Sequence, residues 1–136
     1  MWPLFLSHHS AEDADRCLQV GSVHLCRRCT ALWPFCIAVL VYLIVNRAPV
    51  ASGTAIAAWL AAPVAEFTAV HLGWLKYSIW RVWVLSLAAG MGAALLFYRY
   101  MLDPSDKTPW LLAMAFGLPA AAAAVYHEMG KNPKVL

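Results

Sequence analysis

Charge is what this sequence has least of. Asp, Glu, Lys and Arg together make up 12% of the 136 residues, against about 25% in a soluble globular domain. The ten Lys and Arg are scattered, with no basic stretch interleaved with aromatics, which argues against nucleic acid as a partner. Also missing are a glycine-rich loop to cradle phosphate, a nucleophile paired with a base, and a haem-attachment motif. The signatures by which most enzyme classes declare themselves are thus lacking. The start, "MWPLFL", has no basic residue and runs into "SHHSAEDAD" rather than a small-residue cleavage site. It reads as a pair of interfacial anchors, Trp2 and Phe5, and not as a secretory leader. There is no internal repeat, and the length suits one domain.

Apolar residues are abundant. They account for 62% of the chain, with a mean hydropathy of +0.64, more than one small core can hide. Four stretches free of Asp, Glu, Lys and Arg approach the roughly 17–25 residues that a membrane helix needs: Thr30–Asn46, Ala48–Ala65 (extendable through Glu66 to Leu75), Val82–Tyr98 and Thr108–Tyr126. The short segments between them predict antiparallel sequential neighbours. Pro109 stands where the fourth helix would begin, and Pro63 and Pro119 should kink the second and fourth. Small residues recur at spacing four, as in Ala58/Ala62, Ala88/Gly92, Ala89/Ala93 and Ala120/Ala124, the pattern that lets helices approach closely in lipid. The expected fold is all-α: a polytopic four-helix transmembrane bundle at 30–127, preceded by a short Cys/His-rich cap at 1–29 and followed by a short tail at 128–136.

Basic residues set the expected orientation. Four spans put Arg16, Arg27, Arg28, Lys76, Arg81, Lys131 and Lys134 on one side, and Arg47, Arg99 and Lys107 on the other. Seven against three places both termini in the cytoplasm of a multi-pass protein of the plasma (inner) membrane. That side also collects His8, His9, Cys17, His24, Cys26, Cys29, His71 and His127. Cytoplasmic thiols stay reduced, so the Cys26-x2-Cys29 pair reads first as half of a zinc site. Arg27 and Arg28 would favour the thiolates. The remaining donors must come from His8, His9, Cys17 or His24. His9 and Cys17 are preferred, with His8 the leading substitute. Free interfacial thiols and a disulfide are the alternatives. Cys36, two turns further on, reads as a small core residue.

A carboxylate inside a membrane helix is expensive and needs a partner. For Glu66 the nearest candidate is Arg81, across a short connection, as a structural ion pair. A role as metal ligand or proton acceptor beside His71, or simple reach to the interface, remains open. His71 and His127 read as interfacial residues, and Trp33, Trp59, Trp74, Trp80, Trp83 and Trp110 as an aromatic belt.

The run "HH…ADRC…VGSVHLCRRCTALWP" leading into a span resembles a family of small bacterial integral membrane proteins of unknown function. Its hallmark is a Cys-His pair, an Arg, and a C-x-R-C-T-G motif opening the first helix. Cys26, Arg28, Cys29 and Thr30 match that motif, while His9 and Arg16 fit the family's histidine and arginine. Glu66, Arg81 and "AAGMG" in the third helix also correspond. His8 stands where the family commonly has cysteine, and Ala31 replaces the glycine. The resemblance covers about residues 5–100 and implies a membrane bundle with a Cys/His site, without implying an activity.

The functional expectation is a non-catalytic membrane module, free or as an accessory subunit of a larger membrane complex, with a structural zinc site at the cytoplasmic mouth of the bundle. The alternatives are a thiol-redox or metal-handling membrane protein using Cys26 and Cys29, and a small transporter. The last is weakened by the absence of acid or base groups in the outer half of the spans.

Overall fold

The computed structural model describes residues 4–6, 17–21 and 23–131. These form three short strands, β1 (Leu4–Leu6), β2 (Cys17–Val20) and β3 (Val23–Cys26), and four helices, α1 (Arg27–Val45), α2 (Gly53–His71), α3 (Ile79–Leu102) and α4 (Lys107–Lys131). All four helices are long and apolar enough to cross a membrane. At 1.5 Å per residue even the shortest reaches about 28 Å, close to the ~30 Å hydrocarbon thickness. Large apolar side chains such as Trp33, Tyr42, Trp110 and Leu111 lie exposed along the outer faces. Water would not tolerate so much apolar surface on a lone chain, whereas lipid solvates it.

α1, α3 and α4 run longer than the charge-free stretches because they include basic residues at their ends: Arg27 and Arg28 in α1, Arg81 and Arg99 in α3, Lys107 and Lys131 in α4. α2 instead starts at Gly53, five residues after the expected Ala48, and continues through Glu66 to His71. Pro34, not singled out among the kink-forming prolines, lies inside α1 beside the expected Pro63 in α2 and Pro119 in α4. Ser52 caps α2 by accepting from the Ala55 backbone N–H at 3.2 Å. Asp106 does the same for α4, accepting from Thr108 N–H at 2.8 Å.

Sequential adjacency does not govern the packing. α1 lies against α3, α2 lies against α3 and α4, and α3 touches α4 only sparsely. The seven-residue connection at 46–52 lets α2 pass α1 by, the four-residue connection at 103–106 carries α4 to α2 with little contact to α3, and α3 decides which helix is admitted. Its residues Val82, Ser86, Gly90, Ala94 and Tyr98, four apart, are all buried. A Cβ on Gly90 would stand 2.9 Å from the Leu32 carbonyl oxygen, so α1 backbone approaches to contact there. Gly92, on another face of α3, admits Leu60 of α2, whose side-chain carbon would lie 2.7 Å from an added Cβ. Close approach of this kind is how helices gain packing energy in lipid. The small residues do serve packing, but the row against α1 is Ser86–Gly90–Ala94.

The cap contains a structure that was not anticipated, a three-stranded sheet in the order β1-β3-β2. β2 and β3 are antiparallel with Val20 opposite Val23, so the hairpin turns within two residues. Gly21 takes φ +62° there, a left-handed conformation that suits the primed turns of two-residue hairpins.

Candidate functional site at the mouth of the bundle

The cysteine motif straddles a strand and a helix. Cys26 is both the last residue of β3 and the N-cap of α1, with extended backbone (φ −61°, ψ 122°), and Cys29 lies in the first helical turn. Thr30 Oγ1 donates to the Cys26 carbonyl at 2.9 Å, holding the strand-to-helix bend. Cys17 opens β2 directly opposite Cys26. Directly opposed residues share a sheet face, so Cys17 and Cys26 point the same way, as do Gln19 and His24 two positions along. Cys17 and Cys26 are 3% and 2% exposed. The Cys29 thiol is in hydrogen-bonding contact with Cys26. None of the four cysteines is in a disulfide among the described residues, and Cys36 is buried further along α1.

The two arginines of the motif are engaged elsewhere than the sequence suggested. Arg27 Nε donates to the Cys17 carbonyl at 3.1 Å, tying β2 to the first turn of α1. Arg28 Nη2 donates to Glu66 Oε2 at 2.7 Å, and its guanidinium lies 5.2 Å from the centre of the Phe67 ring. The other oxygen, Glu66 Oε1, accepts from Arg81 Nε at 3.2 Å. Arg81 in turn donates through Nη2 to the Lys76 carbonyl in the connection between α2 and α3. Glu66 is 5% exposed, Arg28 16% and Arg81 35%. A single buried carboxylate therefore joins α1, α2 and α3 at the end that carries the cysteines.

One turn beyond Glu66, His71 Nδ1 bonds the Phe67 carbonyl at 2.8 Å. A carbonyl can only accept, so the proton sits on Nδ1. The His71 ring stacks on Phe67 at 3.9 Å and meets His127 of α4 edge-on at 5.3 Å. His127 Nε2 is buried with no hydrogen-bond partner among the described residues.

Of the sequence-nominated ligands, the structure brings Cys26 and Cys29 together and aligns Cys17 and His24 on the Cys26 face of the sheet. His8 and His9 lie outside the described residues. Among the described residues no group of three or more His, Cys, Asp or Glu side chains is arranged to hold a metal ion. Glu66 and Arg81 are in contact, with Arg28 as a second partner that was not foreseen. The available signal was topological: four alternating spans put the start of the first and third helices beside the end of the second.

The opposite end has its own polar hub. Arg99 donates from Nε to Asp106 Oδ2 at 2.5 Å, from Nη1 to the Ala51 carbonyl at 3.0 Å and from Nη2 to Thr108 Oγ1 at 3.4 Å. It thereby links the end of α3, the connection before α2 and the start of α4. Tyr98 Oη adds a bond to the Ala48 carbonyl at 2.9 Å. The fold and its apolar surface define a four-helix membrane protein with a thiol-bearing cap. Comparison with protein-family models, curated proteins and solved structures finds no match for the chain.

Proposed function

We propose that the protein is a non-catalytic integral membrane module, free or as an accessory subunit of a larger membrane complex, whose cap closes around a structural zinc ion. The observation that supports this reading is pairwise: Cys17 stands opposite Cys26 in the sheet, and Cys29 is in contact with Cys26 where β3 meets α1. The ligand set is Cys17, Cys26, Cys29 and His9, with His8 as substitute. The described side chains do not enclose a cation unaided, so the site closes when metal draws in the thiolates and an imidazole from the segment before β2. Zinc takes four such ligands tetrahedrally, and its binding energy becomes folding energy for a small cap. The distribution of basic residues supports cytoplasmic termini in a plasma (inner) membrane, a compartment that keeps thiols reduced and available to metal. The resemblance noted around Cys26–Thr30 supports the same reading.

The Cys26–Cys29 contact also favours a second reading, a dithiol that yields two electrons and two protons to an external acceptor on forming a disulfide. Elemental analysis of the purified full chain, wild type against Cys26→Ser/Cys29→Ser, separates the two. Stoichiometric zinc that disappears in the variant, together with a lower unfolding midpoint, is the expected result. Metal-free wild type with thiols that titrate reversibly would replace the zinc reading by the redox one. Metal-free protein with inert thiols would remove both.

A further inference from the structure

Two helices in this protein end in the same backbone motif, but with different residues at its key position. At the end of α2, Trp74 N–H bonds the Ala69 carbonyl at 2.9 Å and Gly73 N–H bonds Val70 at 3.2 Å, with Gly73 at φ +77°. At the end of α1, Ala48 N–H bonds the Leu43 carbonyl at 3.0 Å and Arg47 N–H bonds Ile44 at 3.2 Å, with Arg47 at φ +48°. Both are Schellman caps, in which the left-handed residue is usually glycine because a Cβ is crowded there. Arg47 is the only non-glycine residue at positive φ among the described residues. Residues held in this conformation are enforced by their surroundings and cluster at ligand-binding and other functional sites.

The Arg47 side chain is exposed, and its guanidinium has no hydrogen-bond or ion-pair partner among the described residues, unlike Arg28, Arg81 and Arg99. It stands at the edge of a cavity of about 500 Å³ between the ends of α1 and α3, lined by Ile44, Arg47, Ala48, Tyr98, Met101 and Leu102. The Tyr98 hydroxyl is already bonded to the Ala48 carbonyl, so the rest of the wall is apolar and the guanidinium is its one free charge. The cavity opens at the end of two membrane spans, where phospholipid is the ambient solvent. An amphiphile with one anionic head and hydrocarbon tails matches both halves of this surface. Arginine, a planar donor fork, suits a phosphate oxygen pair.

We infer that the cavity between the ends of α1 and α3 is a binding site for an anionic phospholipid, with Arg47 holding the headgroup phosphate and Ile44, Met101 and Leu102 packing against an acyl chain. The lipid, in this view, is the reason that an arginine occupies a glycine position.

The test uses full-length protein in neutral detergent, with unfolding midpoints read after addition of phosphatidylglycerol, phosphatidylcholine or inorganic phosphate. Wild type should gain several degrees from phosphatidylglycerol and clearly less from phosphatidylcholine, with no gain from phosphate. Arg47→Gly should start from an equal or higher midpoint, since it relieves the left-handed strain, yet lose the phosphatidylglycerol increment. Lys107→Gln, which removes a basic residue from the same end, should keep it. An undiminished increment in Arg47→Gly, equal gains from the two lipids, or equal losses in the Arg47 and Lys107 variants would each overturn the assignment. Stabilisation by inorganic phosphate alone would also overturn it, leaving a simple anion site.

Discussion

Arg28, from within the Cys-Arg-Arg-Cys sequence that opens α1, donates to Glu66 in the middle of the bundle's polar end at 2.7 Å. The cysteine cap and the packing of three helices therefore share one residue stretch. Any change that displaces the first turn of α1 pulls on the buried carboxylate, and the reverse also holds.

Glu66→Gln leaves two guanidinium groups facing a neutral amide in a low-dielectric setting. Breaking a buried pair from one side costs on the order of 3–5 kcal/mol, and thermal unfolding in detergent should show a loss of that size. Arg28→Met should cost more than Arg81→Met, because Arg28 is the more buried partner and makes the shorter contact. Equal losses would mean that the two arginines are interchangeable.

Gly90→Ala should destabilise by roughly 1–3 kcal/mol, the usual cost of overpacking, because the new methyl meets the Leu32 carbonyl at 2.9 Å and backbone cannot move aside cheaply. Gly117→Ala in α4, where nothing lies within 4 Å of an added Cβ, should be neutral or stabilise by about 0.5–1 kcal/mol through helix propensity. The pair of midpoints, measured side by side, checks whether α3 is the helix on which packing depends.

Asp106 is held well below the ordinary carboxylate value, at about 2, first by the Thr108 backbone N–H, then by the Thr108 hydroxyl and Arg99. A carboxyl with a depressed folded-state pKa contributes stability that is complete above its unfolded value, about 3.9. That contribution is lost as pH falls towards about 2. Between those limits the midpoint of the wild type should fall with acid more steeply than that of Asp106→Asn. Parallel profiles would show that the hub at that end carries no proton linkage.

Gly21→Val forces a β-branched residue into φ +62° and should open the β2–β3 hairpin. Cys17 and Cys26, 3% and 2% exposed in the folded cap, should then react with a maleimide many times faster than in wild type. Unchanged labelling rates would show that the hairpin does not shield the thiols.

Much of the architecture was legible in the chain. Long apolar runs free of charge can only be solvated by lipid, so four spans followed from composition and length. Glu66 demanded a basic partner on the same ground. The helix ends were less legible, since arginines such as Arg28, Arg81 and Arg99 continue a helix while their side chains reach polar groups at its end. The cap sheet was less legible: "CLQVGSVHLC" carries a hairpin signal, apolar-rich flanks about a glycine, but its strands are only three to four residues long and pair partly with a segment distant in the chain.

By itself, then, the sequence determined that the chain forms four membrane-spanning helices and that Cys17, His24, Cys26, Cys29, His71 and His127 share one end, because hydrophobic solvation and chain alternation act segment by segment. Only the tertiary structure decided that α1 packs on α3 and not on α2, that Arg28 shares Glu66 with Arg81, and that Cys17 faces Cys26. Those relationships depend on which backbones can approach within contact distance, and that is set by the shapes of residues far apart in the chain, Gly90 against Leu32 above all.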